Sequence, residues 1–380
     1  MKRQRKIEKG ITTAFFVFII LGLLTSCSEQ QAQPNTPITI GALFPLTGGL
    51  SSYGEAAQKS AQLALDEINA EGGINGRPLI IDFQDHACDP KTAVSIFQQV
   101  TDAKKIKIFT SAACSGTVLA IAPLLEQKDA LLVGTIVTTP KITNVSEYVF
   151  RNWASDAKEA LLIGSELKKS GFKNVGIIYE QTDYAQGLKI GIERPLNGSG
   201  INVMSESFAS GATDVRTQLQ KLKNAGVDAL FISPQTTVSA DMVLKELQEL
   251  NFKPQLYVND NVIKAVTLIS KYNQTLEGAI GADYVVERTP AFNALLSKYK
   301  QKYGSDCAQT NICAGVYDAV KLIAQALREK GESVEDVRAY LKSTSYEGAS
   351  GTIGFDENND RTNTAYSLFE VHNGVALAMH

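Results

Sequence analysis

The feature that most constrains this chain is an alternation of short β-rich runs with amphipathic helical stretches that is played through twice. From Ile38 it reads "ITIGALF", then "GEAAQKSAQLALDEINAEGG" with Ala57, Ala61, Ala64, Leu65 and Ile68 on one helical face and a Gly72-Gly73 stop, then "PLIIDFQD", "KIKIFTS" and "ALLVGTI" separated by helices. After "YVFRNWASD" it restarts with a helix carrying Ala160, Leu161, Gly164 and Leu167, followed by "NVGIIYE", "INVMSESF", "DALFIS" and "QLYVN", again with helices between. Such alternation implies a parallel sheet covered by helices on both faces. The sequence therefore predicts an α/β fold of two doubly wound parallel-sheet lobes. The tail has helices near 290–303, 312–330 and 333–343 and then "GTIGFDENNDRTNTAYSLFEV". It is too short for a third lobe and is expected to complete the first two. Lobe 1 then takes 38–153 and 285–360, and lobe 2 takes 154–284 and 361–380. The chain crosses near 153, 284 and 361, making a three-segment hinge beside a cleft.

Residues 1–26 read as an export signal. Lys2, Arg3, Arg5, Lys6 and Lys9 precede an apolar run from Ile11 to Leu24 that is short for a membrane span. The run ends in "LLTSC", which resembles the lipobox of bacterial lipoproteins and predicts a mature chain starting at a lipid-bearing Cys27. Residues 27–37, polar and without apolar periodicity, read as a flexible tether. Removing 1–26 takes away five basic and one acidic side chain and moves the formal charge from −3 to −7. A mildly acidic exported chain is a poor nucleic-acid binder.

Export also governs the cysteines. With Cys27 lipidated, Cys88, Cys114, Cys307 and Cys313 remain, and disulfides are the expected state in an oxidising compartment. Three connectivities are open, but Cys307 and Cys313 bracket a turn-like "DCAQTNIC", which favours 307–313 with 88–114. The longer loop would gain roughly 3 kcal/mol in the chain-entropy account.

Ligands of open α/β sheets bind outside the carboxyl ends of the strands. Ser115 lies at such a junction, in "TSAACSGTVLA", with Ile136 to Thr138, Tyr184, Ser233 to Thr236 and Asp260 after other strands. A nucleophilic role for Ser115 lacks support: no glycine stands two residues before it, and the three histidines are His86, His372 and His380. His372 sits beside a turn, His380 ends the chain, and His86 in "DHACDP" reads as a solvated loop residue. Asp85, His86, Cys88 and Asp89 match no strong metal spacing, and a disulfide would consume Cys88. No phosphate-binding or dinucleotide-binding glycine pattern follows any strand. Neither a metal nor a cofactor is expected, and the chain is expected to act as a monomer and not as an enzyme.

"IGALFPLTGGLSSYGEAA", "LDEINAEGGINGRPL", "DHACDPKTA", "CSG" with "TTP" starting 24 residues after its cysteine, "YEQTDYAQGL" and "GTIGFDENND" together resemble the periplasmic receptors for leucine, isoleucine and valine. These are the type I solute-binding proteins of branched-chain amino acid ABC transporters, and the resemblance covers nearly all of 38–372. It implies a Cys88–Cys114 disulfide, a small amino-acid ligand and a membrane permease as partner. It further implies that Ser115 and Thr138 offer hydroxyls to the ligand and Ile136 its backbone. Tyr53 and Tyr184 take aromatic positions around the ligand, and Asp260 pairs with an α-ammonium. Neutral donors suit a carboxylate and an acidic residue suits an ammonium, so the implied roles are chemically coherent.

Plainer roles exist for the same residues: Ser115 and Thr138 as caps, Asp260 as N-cap of a helix starting near Val262, and the two tyrosines as packing. Two departures bear on specificity. Asp260 stands where the family usually has glutamate, and "SPQTT" offers Gln235 and Thr236 where it has a tyrosine region. That more polar wall extends the expected ligands from branched-chain amino acids to polar amino acids, small amides and carboxylates. A sensory receptor of the same fold stays an alternative to a transport receptor, with a serine hydrolase a remote one.

Overall fold

The computed structural model describes residues 36–379. The export signal, Cys27, most of the tether and His380 lie outside the described residues. Among the described residues no helix is long and apolar enough to cross a membrane.

The first sheet is built from β1 (Ile38–Phe44), β2 (Leu79–Asp85), β3 (Ile108–Ala112), β4 (Leu131–Thr135) and β5 (Val149–Arg151), all parallel, in the order β2-β1-β3-β4-β5. The second holds β6 (Asn174–Glu180), β7 (Asn202–Phe208), β8 (Ala229–Ser233), β9 (Gln255–Val258) and β10 (Ile280–Tyr284), in the order β7-β6-β8-β9-β10. Both therefore follow one doubly wound order, with switch points between β1 and β3 and between β6 and β8. The second sheet is not purely parallel. The tail adds an antiparallel hairpin, β13 (Tyr366–His372) and β14 (Val375–Ala378), to its β10 edge, after a short ribbon of β11 (Tyr346–Gly348) and β12 (Gly351–Ile353).

Side-chain alternation decides which face each residue covers. Ile40, Ala42 and Phe44 pack with α1 (Ser51–Ala70) and the tail helices α11 (Pro290–Tyr303), α12 (Thr310–Glu329) and α13 (Val334–Ser343). Leu43, Phe109 and Leu132 face the other way, onto α2 (Pro90–Ala103) and α3 (Ser115–Leu125). In the second sheet Ile177, Phe231 and Tyr257 pack on α4 (Asp156–Lys169) and α5 (Asp183–Leu196), while Ile178, Ile232 and Val258 meet α6 (Arg216–Asn224) and α7 (Thr237–Glu249). Three short helices, α8 (Asp260–Ile263), α9 (Val266–Lys271) and α10 (Asn273–Leu276), precede β10. The tail helices return to cover the first sheet.

The three connecting segments pack on one another. Trp153 stands edge-on to Tyr284 at 4.9 Å between ring centroids, and Tyr284 lies 6.0 Å from Tyr366. Beside them Arg151 is fully buried. Its guanidinium donates to Asp360 Oδ1 (2.9 Å) and Oδ2 (2.5 Å), the carbonyls of Thr138 (3.1 Å) and Thr139 (2.9 Å), and Thr143 Oγ1 (2.8 Å). All five donors are thereby satisfied. Disulfides join Cys88 to Cys114 (Cα–Cα 5.4 Å) and Cys307 to Cys313 (6.8 Å).

Removing the Arg151 charge strips Asp360 of its cation, leaving the Thr143 hydroxyl on its carboxylate, and takes one donor each from the Thr138 and Thr139 carbonyls, which keep the N–H bonds of Asp156 and Ile142. Arg151→Met should destabilise the fold by about 3–5 kcal/mol, the usual result of breaking a buried ion pair from one side. Denaturant unfolding of the variant and the wild type checks this, and a loss below about 1 kcal/mol would contradict the structural role.

Candidate functional site

The strand ends of both sheets meet at a small cavity. Of the residues singled out from the sequence as ligand contacts, it brings together Tyr53, Ser115, Ile136, Thr138, Tyr184, Gln235 and Asp260, and adds Leu50, Ala113, Cys114 and Asn261. Thr236 is placed elsewhere. It is the N-cap of α7, its Oγ1 accepting from the Ser239 N–H at 3.0 Å, and it lines the neighbouring mouth of the cleft.

One wall comes from the first sheet. The turn into α3 is made by Ala113 and Cys114 with left-handed backbone (φ 57° and 58°), and Ile136 is left-handed at φ 55°. A β-branched residue rarely adopts that conformation, and such strain persists where its surroundings enforce it. Here Arg151 grips the Thr138 and Thr139 carbonyls just downstream. Ser115 is the first residue of α3 and not its cap, since the N-cap is Cys114 and that residue makes no side-chain cap bond. Ser115 Oγ accepts from the Thr139 N–H at 3.3 Å, tying the two strand-end loops together. Among the described residues no histidine hydrogen-bonds Ser115. His86 is not the solvated loop residue expected. It is fully buried, with Nδ1 accepting from the Cys88 N–H at 3.0 Å in the turn that the disulfide holds, and burial pushes its pKa down to about 4. Asp85 and Asp89 brace the same loop by accepting backbone N–H bonds, from Leu46 and Ala87 and from Thr92.

The opposite wall is acidic. Asp260 is the first residue of α8, and the cap is Asn259, whose side chain accepts from the Val262 N–H. Asp260 is thus free of capping. Its Oδ1 accepts from the Tyr184 hydroxyl and its Oδ2 from Lys264 Nζ at 3.0 Å, while Lys264 also reaches Asp283 at 3.0 Å. Behind it lie Asp156 and Glu159, both fully buried on α4. Glu159 Oε1 accepts from the Asp260 N–H at 3.1 Å, and Asp156 Oδ1 from the Tyr366 hydroxyl at 3.5 Å. Asp156 Oδ2 and Glu159 Oε2 have no hydrogen-bond partner among the described residues.

Four carboxyls and one lysine in a low-dielectric pocket cannot all carry full charge. Burial, reinforced by the Asp260 charge, pushes Asp156 up to about 8 and Glu159 well above the usual carboxylate range. Burial alone works against the Lys264 ammonium, but Asp260 and Asp283 outweigh it and hold its pKa well above the ordinary lysine value. Burial next to Asp260 keeps the Tyr184 phenol protonated and hence a donor.

Arg151, Asp156, Glu159, Asn261 and Lys264 were not singled out from the sequence. Asp156 and Glu159 carried a usable signal, since with Ala160, Ile163 and Leu167 they fall on the buried stripe of α4. Charged residues on an apolar stripe are the mark of a buried site.

Contacts cross the cleft between the two walls. The Tyr53 hydroxyl donates to Asn261 Oδ1 at 3.2 Å, Lys141 pairs with Asp183 at 2.8 Å, and Thr139 Oγ1 donates to the Asp183 carbonyl at 3.0 Å.

Two doubly wound lobes with their strand ends facing one cleft define a two-lobed binding protein. The chain matches the Periplasmic binding protein family over residues 37–376 and belongs to it. It is 24% identical over 372 residues to the leucine-, isoleucine-, valine-, threonine- and alanine-binding protein of Pseudomonas aeruginosa, covering 96% of this chain and 98% of that one. Solved structures of the same fold include the branched-chain amino acid transporter substrate binding protein of Streptococcus pneumoniae in complex with isoleucine (TM-score 0.74, 22% identity, 90% of this chain and all of that one). Another is a Rhodopseudomonas palustris solute binding protein in complex with 4-hydroxybenzoate (TM-score 0.77, 18% identity, 90% and 96%).

The raised pKa of Asp156 predicts a pH dependence. The folded protein keeps a proton up to about pH 8 that the unfolded chain releases near its ordinary value of 3.8. The stabilising contribution is therefore complete below that ordinary value and is lost as pH rises through the folded one. Asp318, pushed up to about 6 by burial, titrates in wild type and variant alike and cancels in their difference. Melting temperatures of Asp156→Asn should gain on wild type steadily as pH rises toward 8 and hold level above it. Parallel curves would place the titration elsewhere.

Proposed function

We propose that this protein is the lipid-anchored, extracytoplasmic substrate-binding component of an ABC importer, and that it closes its two lobes around a small amino acid. The observation that carries the reading is the polarity of the cavity. Ser115, Thr138 and the first N–H groups of α3 offer neutral donors on one side, which suits a carboxylate without a buried cation. Asp260 on the other side suits an ammonium. Its carboxylate has acceptor capacity beyond Tyr184 and Lys264, and the backbone carbonyl of Ile136 would share the same group. Tyr53, Tyr184 and Gln235 bound the space left for the side chain, with Thr236 further out.

The names of the relatives agree with an amino-acid ligand, and Cys27 would carry the lipid that keeps the receptor beside its permease. A ligand such as an aromatic acid, as held by the Rhodopseudomonas protein, brings a carboxylate but no ammonium. With Asp156 and Glu159 protonated, Asp260 and Asp283 still face a single cation, Lys264, which favours a ligand with a positive end. Calorimetric titration of the 28–380 fragment, refolded to remove carried-over ligand, separates the two. Tight one-to-one binding of an α-amino acid supports the reading, and binding only of 4-hydroxybenzoate or another ammonium-free acid overturns it.

Asp260→Asn should weaken amino-acid binding by about 30-fold or more, as truncation of one partner of a buried charge pair does, while circular dichroism stays that of wild type. Gly187 on α5 gives a test of closure. A Cβ there would sit 2.2 Å from Thr139 Oγ1 and 3.0 Å from Pro140 Cδ across the cleft. Alanine is the better helix former by about 1 kcal/mol, so Gly187→Ala should lower ligand affinity without lowering the stability of the helix it occupies. Unchanged affinity would mean that ligand is bound without this approach of the lobes.

A further inference from the structure

The cavity shares a wall with a second, larger space of about 420 Å3 at the mouth of the cleft, and three residues line both: Leu50, Cys114 and Gln235. Two of the three are fixed. Leu50 is buried against Ala113 and Cys114, and Cys114 is held by its disulfide. Gln235 is different at its two ends. Its backbone is pinned, the N–H donating to Glu180 Oε2 at 2.8 Å and the carbonyl accepting from Asn261 Nδ2 at 3.0 Å. Its side chain reaches across the cleft and ends on Cys88 Sγ at 3.9 Å, a weak sulfur acceptor. The outer space is lined by polar groups, among them Gln181, Gln186 and Ser210, with the carboxylates of Asp89 and Asp183.

Resting on the amino-acid reading above, we infer that the Gln235 side chain is a length filter, a displaceable panel between the inner cavity and the polar outer chamber. A short side chain fits inside with the panel in place. A longer one must push the amide off Cys88, and its distal end then meets the amide, hydroxyl and carboxylate groups of the outer chamber. The residue that most limits ligand length is then a glutamine held at its tip by one weak contact, and the selected class is α-amino acids with short side chains.

The test is a calorimetric panel of alanine, valine, leucine, methionine, glutamine and tyrosine against wild type, Gln235→Ala and Gln235→Met. Methionine at this position keeps a side chain of similar reach without the amide. The inference expects Gln235→Ala to shift affinity by about tenfold or more toward glutamine, methionine and tyrosine relative to alanine, and Gln235→Met to keep the wild-type order. A wild type that binds amino acids, with the same order in Gln235→Ala, overturns the filter alone. A Gln235→Met profile shifted like that of Gln235→Ala overturns it too, since the amide and not the length would then be selecting. A wild type that binds none of the panel overturns the amino-acid reading itself, and the filter for this ligand class with it.

Discussion

The buried guanidinium of Arg151 ties together parts of the chain that sequence separates widely. Its side chain and backbone hold Asp360 and its neighbours, so the first and last connecting segments run side by side. The same group grips the carbonyls of Thr138 and Thr139, and so fixes the loop that carries Ile136 and Thr138 into the cavity. A guanidinium suits this position because its planar fork presents five donors that a lysine could not match. The connection between the lobes and the shape of one wall of the site thus depend on a single satisfied charge.

The site then follows from electrostatics on a scaffold. Parallel strands bring their carboxyl ends, and the helix N-termini that follow, toward one cleft from both lobes. Donors accumulate around Ser115, where they favour an anion without a countercharge. On the other lobe carboxyls accumulate instead, around Asp260, with Lys264 as the local cation and with Asp156 and Glu159 relieved by protonation. A molecule with one negative and one positive end matches that division better than a purely anionic one.

Much of this was legible in the sequence. The period-two runs and amphipathic helices announced both sheets, and the residues after the strands pointed at Ser115, Ile136, Thr138, Tyr184, Gln235 and Asp260, all of which line one cavity. The antiparallel hairpin of β13 and β14 was less visible, since a strand's partner is chosen by which sheet edge is left open. Thr236 shows how fine the margin is: one residue beyond Gln235, it turns its hydroxyl back to cap α7.

What the sequence determined by itself is local: which segments are strands and helices, where they end, and hence which residues stand at the cleft. Those properties are set by periodicity, caps and turn residues a few positions apart. Only the tertiary structure decided that Arg151 pairs with Asp360, that Asp156 and Glu159 gather behind Asp260, and that Gln235 reaches the disulfide of the other lobe. Each of these joins residues from about a hundred to more than two hundred positions apart, or through backbone atoms that no side-chain pattern records. Burial turns such meetings into shifted acidities and buried ion pairs, and burial is a property of the packed lobes and not of any one segment.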